Sequence, residues 1–291
     1  MRPPRCKVAP VIPANLTLTK GHGAGNDFIV VPDPDGLLDL DAADVERLCN
    51  RHTGLGADGL IRVVRSAASR ELADGHTVPE WFMDYRNADG SIAEMCGNGV
   101  RVFAHYLAEQ GLAPLPIDGH LTVATRGGNK TVTREAPAIY TVDMGEYGLP
   151  FGGAGADTRV EVPGLGEFSA LSVTMPNPHT VVILDSIEQL TAADLHAQPT
   201  YEPVPPEGTN LELVVPDPVR AQMRVLERGV GETLACGTGT CAVAVALLLS
   251  RGQTEGTVPI HSPGGDLSVR IEAGRAYLTG PAQLVADITL R

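Results

Sequence analysis

Along residues 21–31 a glycine-rich stretch, Gly21-His22-Gly23-Ala24-Gly25-Asn26-Asp27, gives way to the apolar run Phe28-Ile29-Val30-Val31. The contrast predicts a turn feeding a buried strand, with 16–19 as a periodic segment just before it. Residues 41–50 set leucine and valine at helical spacing behind an aspartate, which predicts a helix. Strands are predicted at 60–64 and 81–85, and the polar stretch 66–79 between them reads as a hairpin connection. A helix follows Gly99 and closes near Gly111, where glycine just past the last periodic residue suits a C-cap. Strand character returns at 121–124 and 139–144, followed by a glycine-rich loop at 145–157. From Val173 the order is strand, a turn at Pro176-Asn177-Pro178-His179, a strand at 180–184 and a helix at 192–197. Strands at 211–215 and 223–227, a long apolar helix and further strands from Gly256 complete the chain.

One pattern occurs twice. Cys96-Gly97-Asn98-Gly99 and Cys236-Gly237-Thr238-Gly239 share Cys-Gly-x-Gly, 140 residues apart, and each precedes an apolar helix ending in glycine. Two similar halves, each with strands wrapped round one helix, are the economical reading. The second helix is apolar on every side over 241–249, so it must be enclosed, and a strongly curved sheet closing round it does that. The expected division is an N-terminal extension at 1–15, a first half at 16–135 joined by a returning C-terminal strand at 281–291, and a second half at 136–280.

Composition narrows the function. The 291 residues carry 35 acidic and 22 basic side chains, a net charge of −13, which argues against nucleic acid or an anionic membrane surface as partner. With 43% hydrophobic and 20% charged residues the chain reads as globular. The apolar run 241–249 is far short of the roughly 20 residues that span a bilayer, and residues 1–15 lack the apolar core of a secretory signal. The expectation is a soluble protein. Five cysteines (Cys6, Cys49, Cys96, Cys236, Cys241) form no C-x-x-C pair and no zinc-like spacing, so a reducing cytoplasm and no metal are expected.

The duplicated cysteines suggest chemistry. A helix start offers unpartnered N–H groups with partial positive charge, and these can hold a substrate carboxylate. They also stabilise a thiolate, so the pKa of Cys96 and Cys236 is expected to fall toward neutrality. Two such thiols converging on one interface can take a proton from one face of a carbon and return one to the other, inverting it. The rival use is redox exchange, which normally employs a close C-x-x-C pair. Cys6, Cys49 and Cys241 read as incidental.

Longer motifs carry a resemblance. Gly25-Asn26-Asp27-Phe28, Arg51-His52-x-Gly54-x-Gly56-Ala57-Asp58-Gly59, Arg86-Asn87-Ala88-Asp89-Gly90-Ser91 and Ala93-Glu94-Met95-Cys96-Gly97-Asn98-Gly99-x-Arg101 resemble the diaminopimelate epimerase family. So do Asn177-Pro178-His179, Gly208-x-Asn210 and Glu227-Arg228-Gly229-x-Gly231-Glu232-Thr233-x-Ala235-Cys236-Gly237-Thr238-Gly239. The resemblance implies an α/β (α+β) fold of two pseudo-symmetric halves, each a curled, mostly antiparallel sheet around a central helix, with the active site in the cleft. It implies interconversion of LL- and meso-2,6-diaminopimelate, serving lysine and peptidoglycan synthesis, without pyridoxal phosphate or metal, in a homodimer.

By the same resemblance Cys96 and Cys236 are the acid–base pair, His179 assists them, and Glu227 pairs with the ammonium at the reacting centre. Asn26, Asn98 and the backbone of Gly97, Gly237 and Thr238 hold that centre, while Asn87, Asn177, Asn210 and Arg228 take the distal end. Arg228 suits a bidentate grip on the second carboxylate. His22, His52 and His105 receive no role. Pro176 departs from the family, which commonly has glycine before Asn-Pro-His. Proline racemases and hydroxyproline epimerases are the alternative within the fold, but characteristically carry histidine where Asn98 stands. Phenazine-type isomerases lack the thiol pair, and a redox dithiol protein is the alternative outside catalysis by epimerisation.

Overall fold

Alternating burial along short β-branched runs produces most of the chain's strands, and the stretch with no polar face becomes one of its enclosed helices. The structure, a computed structural model, describes residues 12–13, 15–69, 71–72, 78–153 and 155–290. The first part of the chain forms β1 (Thr17–Gly23), β2 (Asn26–Pro32), α1 (Ala42–Cys49), β3 (Gly59–Arg65), β4 (Trp81–Asn87), α2 (Gly97–Glu109), β5 (His120–Val123), β6 (Lys130–Ala136) and β7 (Ile139–Glu146). It continues as β8 (Thr158–Val162), β9 (Gly166–Thr174), β10 (Pro178–Ile183), α3 (Ile187–Ala192), β11 (Thr200–Glu202), β12 (Asn210–Val215), β13 (Ala221–Glu227) and β14 (Gly231–Thr233). The last elements are α4 (Gly237–Ser250), β15 (Gly256–Ser262), β16 (Gly265–Glu272), β17 (Arg275–Pro281) and β18 (Gln283–Thr289).

The strands make two sheets. One runs β18-β1-β2-β3-β4, and the other runs β11-β8-β9-β10-β12-β13-β15-β16-β17-β7-β6-β5, with β14 paired to β13. Among the described residues the parallel strand pairs are β2–β3, β10–β12 and β13–β15, so the sheets are mostly antiparallel. A bridge between Phe82 and Ala124 ties β4 to the chain just after β5, and one between Gly148 and Thr174 ties the chain after β7 to β9. The strands enclose two helices, α2 between strands of both sheets and α4 within the larger one. α2 packs against β1, β2, β3, β4, β6, β7, β17 and β18, and α4 against β9, β10, β12, β15, β16 and β17.

Enclosure explains the helix sequences. Every residue of α4 from Thr240 to Leu248 is buried, as is every residue of α2 from Gly97 to Leu107. Nothing in α4 needs a polar face. The closing glycine of α2 is Gly111, which adopts φ +65°, a left-handed conformation that glycine reaches without a Cβ clash. The two-sheet, two-helix architecture is the expected one.

Some expectations move. The helix expected at 192–197 is instead α3, Ile187–Ala192, because Ser186 caps it by accepting the Gln189 N–H at 3.3 Å, and the backbone is already extended at Ala193. Ala192 and Leu195 imitate helical spacing without a cap to start from. Of the 1–15 extension only residues 12, 13 and 15 are described; Ile12 is buried with Leu18, Ile29 and Val31, so this end is docked on the core. Part of the expected 66–79 hairpin connection, like Cys6, lies outside the described residues. Among the described residues no helix is long and apolar enough to cross a membrane.

Candidate active site

Both duplicated cysteines sit at the N-cap of an enclosed helix. Cys96 caps α2 with φ −137° and ψ 119°, Cys236 caps α4 with φ −120° and ψ 117°, and the two backbones are near-copies. The Gly99 N–H donates to Cys96 Sγ at 3.5 Å and the Gly239 N–H to Cys236 Sγ at 3.4 Å. The helices meet at these ends. A Cβ on Gly237 would stand 3.5 Å from Gly97 Cα and 3.0 Å from Leu278 Cδ2, so glycine lets the two thiol-bearing turns abut. Asn98 Nδ2 spans the join, donating to the Ala235 carbonyl at 3.3 Å.

Around Cys96 the polar contacts form one chain. Cys96 Sγ donates to Asn26 Oδ1 at 3.4 Å, which also accepts from Asn98 Nδ2 at 3.4 Å. Arg101 Nη2 holds Asn98 Oδ1 at 2.8 Å. Asn26 Nδ2 in turn donates to Asp58 Oδ2 at 2.8 Å. Asn87, at the end of β4, donates to Ser91 Oγ at 3.0 Å in the loop that leads to Cys96.

Around Cys236 a second chain runs from a buried acid. Thr238 Oγ1 lies 3.4 Å from Cys236 Sγ and accepts from Asn177 Nδ2 at 3.4 Å. Asn177 Oδ1 is 3.1 Å from His179 Nε2, and His179 Nδ1 is 2.7 Å from Glu212 Oε1. His179 thus reaches Cys236 through Asn177 and Thr238. Pro176, preceded by a cis peptide, leaves Asn177 with these two partners. Glu227 accepts from the Thr233 hydroxyl, and its charge raises the Cys236 thiol.

Asn210 ties this region to Arg228. Its Nδ2 donates to the Pro178 carbonyl at 3.0 Å, and its Oδ1 accepts the Arg228 N–H at 2.9 Å. The exposed Arg228 side chain donates Nη1 to the Glu207 carbonyl. A Cβ on Gly208 would meet Arg228 Cδ at 3.0 Å, which explains glycine there.

The expected drop in thiol pKa is not found. Burial pushes Cys96 up to about 11, with the Gly99 N–H lowering it and Glu227 raising it. Burial pushes Cys236 well above the ordinary range, Glu227 and Glu212 push it further, and Thr238 and the Gly239 N–H oppose them. The helix-end stabilisation exists, but desolvation outweighs it in these enclosed turns. Burial also raises Glu227, although the Thr233 hydroxyl lowers it.

Three residues near the thiols received no role from the sequence. Glu212 is the single charged residue in the wholly buried β12, set in the apolar run that follows Asn210, a signal that was available. Arg101 lies one and a half turns into α2 and is fully buried. Tyr85, packed edge-on against Phe28, has its phenol pushed up by burial and by the charges of Cys96 and Glu227.

The fold of two sheet-wrapped helices is shared with several solved structures. A probable proline racemase from Agrobacterium radiobacter superposes with TM-score 0.65 at 15% identity, covering 95% of this chain and 93% of its own. A Bacillus anthracis phenazine biosynthesis protein of the PhzF family gives TM-score 0.65 at 13% identity, covering 95% and 99%. At such identities the likeness concerns the fold alone. The sequence is more specific: the diaminopimelate epimerase family model matches residues 18–149 and 171–285. Diaminopimelate epimerase of Streptomyces coelicolor is 48% identical over 282 residues, 94% of each chain, and that of Rhodococcus jostii 44% identical over 289, 94% of this chain and 97% of its own. This chain belongs to the diaminopimelate epimerase family.

Proposed function

We propose that this chain is an isomerase that interconverts LL- and meso-2,6-diaminopimelate by two-base proton exchange, one cysteine thiolate removing the α-proton and the other cysteine thiol supplying a different proton to the opposite face. The family membership supports the substrate, and one observation carries the mechanism: two thiol-capped helix starts abut through Gly97 and Gly237. A carboxylate placed at that junction is offered the N–H groups of Gly97, Asn98, Gly237 and Thr238, all in the first turns of helices whose dipoles favour a negative charge. That charge grows as the α-carbon loses its proton, so the same groups stabilise the transition state.

One cysteine acts as thiolate and takes the α-proton, and the other, as thiol, delivers a proton to the opposite face. The carbon is inverted, and which thiol is the base depends on the isomer bound. Asn26 orients Cys96, and Glu227 faces Cys236 and the substrate ammonium. His179 supports Cys236 through Asn177 and Thr238. Asn87, Asn177, Asn210 and Arg228 take the distal amino-acid end, where the exposed guanidinium of Arg228 grips a carboxylate in two-point fashion. The setting is a reducing cytoplasm, in keeping with free thiols at Cys49, Cys96, Cys236 and Cys241, and the assembly is a homodimer without nucleic acid or membrane.

Incubation with LL-diaminopimelate in deuterium oxide tests substrate and mechanism together. Meso product carrying deuterium at the inverted carbon is the expected result. Unlabelled, uninverted substrate with turnover of proline instead moves the chain to the racemases. Epimerisation surviving in Cys96→Ala or Cys236→Ala overturns the two-thiol assignment.

A further inference from the structure

The two halves repeat their backbones but not their chemistry. Phe28 pairs with Gly59 on the parallel strands β2 and β3, as His179 pairs with Asn210 on β10 and β12. Two residues further on stand Ile61 and Glu212. A Cβ on Gly99 would meet Ile61 Cδ1 at 3.3 Å and Phe28 Cζ at 3.5 Å, whereas one on Gly239 would meet Glu212 Oε1 at 2.5 Å. Beneath Cys96 the helix start therefore rests on an apolar pair. Beneath Cys236 the same positions hold a fully buried His179–Glu212 pair.

We propose that Glu212 is a positioning residue that fixes the direction of the hydrogen-bond chain ending on Cys236, an asymmetry between the two thiols that rests on their assignment as the acid–base pair. Asn177 Nδ2 faces Thr238, so its Oδ1 faces His179 Nε2, which must donate. His179 Nδ1 faces a carboxylate and donates as well. Glu212 Oε2 has no hydrogen-bond partner among the described residues, so the carboxylate is answered by the doubly donating imidazole. The Thr238 hydroxyl, accepting from Asn177, keeps its own proton free to donate to Cys236 Sγ 3.4 Å away. The chain thus points its last proton at the sulfur and favours the thiolate.

Replacing Glu212 by the isosteric glutamine removes the countercharge. In the tautomer that keeps its proton on Nδ1, Nε2 faces Asn177 as an acceptor. Asn177 then turns its amide over to donate to Nε2, Thr238 donates to Asn177 Oδ1, and Cys236 loses its donor. The groups acting on the Cys236 sulfur are Glu227 from β13, Glu212 from β12, and Thr238 and the Gly239 N–H from α4, with His179 of β10 acting through the chain.

The test follows iodoacetamide labelling of Cys236 against pH by peptide mass spectrometry, with Cys96 as internal reference. In Glu212→Gln, labelling of Cys236 is expected to shift about one pH unit upward while Cys96 is unmoved. Turnover in the direction using Cys236 as base falls about tenfold with KM unchanged. A downward shift means that Glu212 acts as a bare negative charge, and no shift means that it only packs; either overturns the proposal. A double variant, His179→Phe with Glu212→Ile, copies the pair the first half already accommodates. It is expected to shift Cys236 upward too, and wild-type labelling in it overturns the proposal even if Glu212→Gln does not fold. Labelling does not depend on turnover, so loss of the two-thiol reading in Cys236→Ala is a separate result.

Discussion

Glu212 lies so close to Gly239 that a Cβ there would stand 2.5 Å from Oε1 and 3.2 Å from Cγ. The acid cannot swing away without giving up its 2.7 Å bond to His179. Gly99, at the equivalent place in the other half, faces the more compliant Ile61 Cδ1 at 3.3 Å. Gly239→Ala is therefore expected to destabilise the fold by about 2 kcal/mol and to lower turnover, with Gly99→Ala costing less than about 1 kcal/mol. Urea unfolding of both variants checks this, and equal losses would contradict the asymmetry.

Arg101 is buried in α2, and among the described residues no carboxylate pairs with it. Its guanidinium donates to Asn98 Oδ1 at 2.8 Å, the Pro281 carbonyl at 3.3 Å and the Gly97 carbonyl at 3.5 Å. A lysine keeps the buried charge but loses the fork, so Arg101→Lys is expected to cost about 3 kcal/mol. Arg101→Met leaves no charge to desolvate and is expected to cost less in stability. Both variants release Asn98, so kcat falls in both while only the lysine is strongly destabilised. Denaturation curves and kinetics on the two variants separate these effects.

The fold was legible because its signals are local and duplicated. Cys96 and Cys236, each followed by Gly-x-Gly and an apolar helix, announced both helix starts, and α4 had no polar face to offer solvent. What stayed hidden depends on partners distant in the chain. The strand β6 carries Thr131, Thr133 and Arg134 and acquires its place by pairing with β5 and β7. Glu212 is an isolated charge in an apolar run until β10 sets His179 beside it. The direction of the thiol pKa also escaped, since capping is a property of the local turn whereas burial is a property of the enclosing sheets. Residues at element starts, Asn26 and Asn210 among them, were legible as candidates, but their partners were not.

Acid stability depends on a cluster beside Asn26. Burial pushes the Asp27 carboxyl up, but Arg51, bidentate at 2.7 and 3.1 Å, and Lys20 at 2.6 Å outweigh it and hold it down at about 2. The folded value lies below the ordinary one near about 3.9, so the unfolded chain takes up the proton first as pH falls. The stabilisation is fully present above pH ~4 and lost as pH drops through about 2, an effect on the order of 2 kcal/mol. Comparing wild type with Asp27→Asn by urea unfolding between pH 7 and pH 2 should show their difference shrinking across that window. A difference independent of pH would show that Asp27 acts through packing alone.

Glu227 presses on both thiols. After burial it is the leading influence raising Cys236, and it raises Cys96 too, against the Gly99 N–H. Thiolates are the species that alkylate, so labelling of free Cys96 is expected to climb about tenfold per pH unit and level off near pH 11. Glu227→Gln removes a negative charge from beside both sulfurs, which favours each thiolate and moves both labelling curves to lower pH. The larger movement belongs to Cys236, for which Glu227 is the leading charge after burial. Epimerisation nonetheless falls by about 10²–10⁴-fold, because in the proposed mechanism the same carboxylate pairs with the substrate ammonium. If the Cys96 curve moved further than that of Cys236, Glu227 would have to be reassigned to the first thiol.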